Sequence, residues 1–184
     1  LISFLGNIVP SGGYSGFSLN GFKLKKSGYV HWGNEDEPVN NGTDELGFSA
    51  VGAGWREQWS GDFWDLKFSM DIWTSTKEDA SSAYTLGIFR DYAGSWSDGA
   101  ILNQGYSIRL IKNDSTWSPG DAINDNDGNV YTTVKIGDQV WLTSNWKCTS
   151  YNDGSPIPNV TDNTEWTLLT TPAWSVYDNN PLNK

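Results

Sequence analysis

Cysteine is nearly missing: Cys148 is the only one in 184 residues. A disulfide within the chain is therefore excluded, and the fold must rest on its core, a partner or a metal. A single cysteine of this kind reads as a small buried hydrophobe rather than a reactive thiol. Histidine is equally scarce, with His31 alone. No Ser-His-Asp triad can be argued from it, and a dyad with Cys148 has no local support. Beside Trp32, His31 reads as a packed loop residue. Basic residues are few, 12 Lys and Arg against 22 Asp and Glu, for a net charge of −10. Such a surface repels phosphate backbones and anionic bilayers, and no basic run offsets it. No apolar run is long enough to span a membrane, and no secretory leader is visible. A mature chain would have shed such a leader, so an extracellular location stays open.

Aromatic and turn-forming residues are plentiful instead: 11 Trp, 8 Tyr, 7 Phe and 20 Gly, beside abundant Asn, Asp, Ser and Thr. This mixture disfavours helices and suits short strands joined by many turns. It also fits extracellular binding and adhesion domains. Sequons begin at Asn41, Asn113 and Asn159, as chance allows in an Asn-rich chain.

Along the chain, residues 1–6 read as the tail of a helix, with Gly6-Asn7 as its C-cap signal. Residues 10–54 are loop-rich, with a short strand expected at 22–24. Residues 63–70 alternate, placing Trp64, Leu66, Phe68 and Met70 on one buried face. Further strands are expected at 84–90 and at 106–111, the latter burying Tyr106, Ile108 and Leu110. The clearest hairpin runs from Val130 to Ile136, turns at Gly137-Asp138 and returns from Gln139 to Leu142. Glycine at the first turn position predicts type II′. One helical turn is expected at 166–169.

Two blocks carry a resemblance. One runs from Asp125-Asn126-Asp127-Gly128-Asn129-Val130-Tyr131 through Ile136-Gly137-Asp138-Gln139-Val140-Trp141. The other runs from Tyr151-Asn152-Asp153-Gly154 to Asp162. Gly47-Phe48-Ser49-Ala50, Gly54-Trp55-Arg56, Asp71-Ile72-Trp73-Thr74-Ser75-Thr76 and Gly105-Tyr106-Ser107-Ile108-Arg109 also fit. Together they resemble the Fibrobacter succinogenes major paralogous domain, found in surface and secreted proteins of Bacteroidetes-type bacteria. The order differs from the family's, because its closing strand, near residue 106, here precedes its opening hairpin, near residue 130. Residues 1–118 thus read as the C-terminal part of one unit. Residues 119–184 read as the N-terminal part of the same, permuted unit or of the next. A tandem repeat cut out of phase, a permuted domain and a strand-donating filament subunit are all compatible with this order. The family's cysteines, near Leu110 and Ser175, are both absent, and its Glu-Asn-Leu appears as Ser144-Asn145-Trp146. The resemblance implies an α+β, β-rich fold: a C-type-lectin-like mixed fold with long loops and little helix. That fold class includes formylglycine-generating enzymes, whose copper-binding cysteine pair is impossible here.

These features point to a noncatalytic extracellular, cell-surface or virion-surface module. Its expected partners are copies of itself or a surface protein, with glycan as the alternative ligand; nucleic acid and membrane insertion are not expected. A hydrolase would need a carboxylate pair, for which Glu35, Asp36, Glu37 and Asp65 are candidates. The candidate ligand-binding residues are Arg90, Tyr92, Trp96 and Trp117, aromatic or forked side chains among small polar residues. Trp59 has a similar loop context, whereas Trp64, Trp73 and Trp141 read as core. No cofactor is required. Asp125 and Asp127, in an oxygen-rich cluster with Asp121, Asn124 and Asn126, are candidate calcium ligands, or else form an Asx-rich turn. The spacing does not match an EF-hand.

Overall fold

Runs of β-branched and aromatic residues between turn formers become strands in the computed structural model. It describes residues 15–18 as backbone, and residues 21–33, 42–92, 94–112 and 118–183 in full. The strands are β1 (Ser15–Ser18), β2 (Ala53–Arg56), β3 (Phe63–Leu66), β4 (Ser69–Lys77) and β5 (Ser82–Phe89). They continue with β6 (Ser95–Ile101), β7 (Ile111–Lys112), β8 (Ala122–Asn124), β9 (Val130–Ile136) and β10 (Gln139–Leu142). One short helix, α1 (Asn163–Thr167), and several 3-10 turns accompany them. Among the described residues strands account for 38% and helical structure for 11%, a β-rich architecture.

Two antiparallel four-stranded sheets, ordered β1-β6-β5-β4 and β7-β10-β9-β8, stand beside the β2-β3 ribbon. The segment 105–107 stitches the ribbon to the first sheet. Ser107 bridges Ile72 in parallel, and Gly105 bridges Arg56 antiparallel. Hydrogen bonds run from Trp73 N to Ser107 O (3.0 Å) and from Gly105 N to Arg56 O (2.7 Å). One curved surface therefore runs β1-β6-β5-β4, then 105–107, then β2-β3. In the second sheet β7 pairs with β10, joining the first part of the chain to the hairpin.

The core lies on one side of the first sheet. Met70 and Ile72 of β4 and Leu86 and Ile88 of β5 pack with Leu24, Trp32, Phe48, Ala50, Ile136 and Trp141. Phe48 meets Trp141 edge-on at 5.6 Å. Two buried arginines bind distant segments. Arg56 donates to Gly61 O (2.7 Å), Val160 O (2.7 Å), Thr161 O (3.3 Å) and Asn163 Oδ1 (2.9 Å). It lies between the rings of Phe63 and Trp166. Arg109 lies over Phe48 and donates to Phe48 O and to Asn145 Oδ1.

The hairpin forms as expected, with positive φ at Gly137 (61°) and not at Asp138, the type II′ pattern. Other expectations need correcting. Residues 63–70 are not one strand. Lys67 takes φ 61° and Phe68 N bonds Asp65 O, so the chain turns there between β3 and β4. Trp64 and Leu66 are consequently exposed, while Met70 belongs to the core. Residues 106–111 bury Arg109 and expose Ile108, because buried carbonyl and amide acceptors draw the guanidinium inward. Residues 21–23 form a 3-10 turn instead of a strand. The helical turn starts at Asn163, three residues before its expected position, because the Asp162 carboxylate accepts from Glu165 N (2.8 Å) as N-cap. The helix expected at 1–6 lies outside the described residues.

Candidate binding face

Strand alternation that sends Met70, Ile72, Leu86 and Ile88 to the core sends their neighbours to the opposite face. Pairing aligns Asp71, Gly87 and Trp96 in one row across β4, β5 and β6, and Trp73, Thr85 and Asp98 in the next. Phe89 stands beside the first row with its ring 4.1 Å from Trp96. Tyr106, on the stitching segment, meets Trp73 at 5.0 Å and Trp55 at 5.9 Å. Trp55 is paired with Trp64 across the β2-β3 ribbon, so both project to the same side. A band of aromatic rings thus follows the sheet: Tyr92, Phe89, Trp96, Trp73, Tyr106, Trp55 and Trp64. Tyr92 and Trp64 are 51% and 52% exposed, and the other five are half-buried.

The band is acidic. Asp98 is exposed, and Asp65 accepts a hydrogen bond from Trp55 Nε1 (3.0 Å). Asp71 lies under the rings, only 7% exposed, with Ser69 Oγ donating to it (2.9 Å). Burial pushes its pKa up to about 6, and the Asp65 charge adds to this, against hydrogen bonds from Ser69 and Trp96. Burial raises Tyr106 as well, reinforced by the charges of Asp71 and Asp98. Anionic ligands are disfavoured on such a face, while hydroxyl groups find acceptors there.

Three of the four expected ligand residues meet at one end of the band. Arg90 stacks on Phe68 and pairs with Asp91 (2.8 Å), Tyr92 meets Phe89 edge-on at 6.3 Å, and Trp96 lies against Phe89. Trp96 belongs to β6 and is half-buried, not in a loop. Trp117 lies outside the described residues, as do Glu35, Asp36 and Glu37. Buried Lys25 holds this end in place, its Nζ donating to Arg90 O (2.9 Å) and Tyr92 O (2.8 Å). Burial lowers the Lys25 pKa to about 8, partly countered by Asp91. His31 is half-buried in a 3-10 turn, its pKa lowered by burial and then by Lys26 and Lys67.

Asp125 and Asp127 sit in the turn before β9. Asp125 Oδ1 accepts from Asp127 N (3.0 Å) and Asn129 N (2.9 Å), and its Oδ2 from Asn129 Nδ2 (2.8 Å) and Tyr131 OH (2.7 Å). Asp127 accepts from Thr149 N (2.6 Å), Thr149 Oγ1 (2.7 Å) and Ser150 Oγ (2.7 Å). Both carboxylates therefore act as hubs: Asp125 closes the turn onto Asn129 and Tyr131, and Asp127 ties it to Thr149 and Ser150. Among the described residues no group of three or more His, Cys, Asp or Glu side chains could hold a metal.

No family model, curated protein or solved structure matches the chain.

The candidate site therefore stands on its own geometry. Sequence reasoning singled out Arg90, Tyr92 and Trp96, passed over Asp71, Trp55 and Tyr106, and assigned Trp73 and Trp64 to the core, whereas Trp73 is half-buried on the opposite face of the sheet and Trp64 is exposed. The alternation of Asp71 and Trp73 with Met70 and Ile72 was a usable signal for two of them. Trp141 is buried as expected, and Trp59 is 78% exposed, in keeping with its loop context.

Proposed function

We propose that the chain is a noncatalytic extracellular or cell-surface module whose aromatic sheet face binds neutral carbohydrate. The observation that carries this is a partly open sheet face on which Trp96 and Trp73 stand in neighbouring rows beside the exposed Asp98 carboxylate. Aromatic faces stack on the apolar faces of sugar rings, and neighbouring carboxylates accept sugar hydroxyls. A net charge of −10 disfavours uronate-rich or sulfated glycans. A noncatalytic role is supported by the burial of Asp71, whose raised pKa would otherwise suit a hydrolase acid. It lies beneath Trp96, out of reach of a bound sugar. The C-type-lectin-like fold and membership of the paralogous-domain family belong to the same proposal, resting on the two hairpin-containing blocks of sequence.

Electrophoresis of the folded chain through gels containing neutral soluble polysaccharides tests this reading. Retardation that Trp96→Ala abolishes is expected. Mobility unchanged in every such gel sinks it.

Contact with protein, whether a second copy or a surface partner, is the second reading. Trp59 and Leu182, 78% and 90% exposed, favour it. The outer strands of the second sheet, β7 and β8, do not, since at two and three residues they offer little edge for strand addition. Light scattering over a range of concentrations separates the two readings.

A further inference from the structure

The aromatic band ends at Trp64, which at the outer edge of β3 also lines an open groove of about 440 Å³ with Asp62, Phe63, Asn163, Asp178 and Asn179. Its floor is preformed. Asn163 is fixed between Arg56, which donates to its Oδ1 (2.9 Å), and Asp62, which accepts from its Nδ2 (2.9 Å). Its rim holds two consecutive residues in the left-handed region, Asp178 and Asn179, both at φ 52°. Asp and Asn tolerate this backbone better than other residues with a side chain, and here it turns the chain at the groove's edge. An exposed indole ringed by carboxylates and amides, with no net apolar character, suits a polyhydroxylated ring better than a peptide or lipid.

Resting on the carbohydrate reading above, we infer that this groove is a second subsite and that the ligand is a linear neutral glycan lying across the strands from Trp96 to Trp64. From β6 through β5, β4, the 105–107 segment and β2 to β3 is five strand spacings. At about 4.8 Å each, that is about 24 Å, several sugar units long. A terminal sugar or disaccharide would leave most of the band unused. An extended β-1,4-linked chain presents ring faces in a ribbon that can follow a row of indoles, whereas a coiled α-linked chain cannot. A preformed floor and rim reduce the ordering cost of taking such a ligand.

The test is calorimetric titration of the full chain with cello- and xylo-oligosaccharides, from dimer to hexamer. Affinity is expected to rise with each added unit up to the longest. Trp64→Ala should weaken hexamer binding about tenfold, the loss of one ring contact, while leaving the dimer unchanged. Trp96→Ala should weaken both. Asp178→Asn keeps a residue that tolerates the left-handed backbone and should weaken only the longer ligands. Binding that levels off at the dimer and is indifferent to Trp64→Ala overturns the second subsite while leaving the carbohydrate reading intact. Absence of binding at every length, in a chain shown to be folded by circular dichroism, overturns both.

Discussion

Trp96 lies across the bare backbone of Gly87, its indole nitrogen occupying the space a side chain would take. A Cβ on Gly87 would overlap Trp96 Nε1 and come within 2.8 Å of Asp71 Oδ1. The glycine therefore sets both the tilt of the indole and the seclusion of the acid beneath it.

Gly87→Ala is expected to expel Trp96 from its place and to weaken glycan binding with it. Overpacking of this kind costs about 1–3 kcal/mol, visible as a lower urea midpoint. An unaltered midpoint and unaltered binding would mean that Trp96 is free to tilt away and is not fixed by the sheet.

Asp71 makes stability pH-dependent in an unusual direction. Its folded pKa of about 6 exceeds the ordinary 3.8, so the folded chain keeps a proton that the unfolded chain has released. Its contribution is full below about pH 4 and is lost as the pH rises to about 6. Each pKa unit is worth about 1.4 kcal/mol, so the loss is about 3 kcal/mol. Asp71→Asn, neutral throughout, should unfold at higher urea than the parent at pH 8 and at a similar concentration at pH 4. If Asp71→Asn is the less stable at pH 8, the buried carboxylate is stabilised by something other than its protein neighbours.

The hairpin was legible in the sequence because its information is local: alternation on both arms and glycine where φ must be positive. Core positions such as Met70 and Ile72 and a candidate ligand residue such as Trp96 carried local signals too. The band was not legible as a band. The Trp55–Trp64 pair joins Tyr106 and Trp73 only because 105–107 slots between β2 and β4, bridging Arg56 to Gly105 and Ile72 to Ser107, pairings far apart in sequence for which no short pattern exists. Trp64 misled for a different reason. Alternation across 63–70 was real, but Asp65 and Lys67 adopt left-handed backbone, which reverses the chain and turns the face assumed buried toward solvent. A lone Arg in Gly54-Trp55-Arg56 likewise gives no hint of its partners a hundred residues away.

Arg56 is the clearest structural pin. Among the described residues no carboxylate is bonded to it; it is held by the carbonyl of Gly61 in the adjacent turn and by two carbonyls and an amide of the distant segment 160–163. Arg56→Met should leave those acceptors buried and unpaired, at about 3–5 kcal/mol, lowering Tm by roughly 10 °C. Arg56→Lys should not restore it, since one ammonium cannot reach a fork of acceptors. A lysine variant as stable as the parent would show that charge, not the fork, is what this site needs.

Asp127 decides between the two roles considered for the turn before β9. As a hydrogen-bond hub it holds Thr149 and Ser150 through three donors, two of them hydroxyls. Asp127→Ala should then cost about 1–2 kcal/mol, modest because the site is exposed, and the cost should be the same in calcium and in EDTA. A calcium site behaves differently: ligand that binds only the folded chain raises Tm with concentration, and the variant would abolish that rise. A parent Tm that climbs with added calcium and falls in EDTA would therefore assign Asp125 and Asp127 to the ion, with Thr149 and Ser150 turning away to make room. A Tm indifferent to both leaves Asp125 as the closure of the turn and Asp127 as its tie to the segment that follows the hairpin.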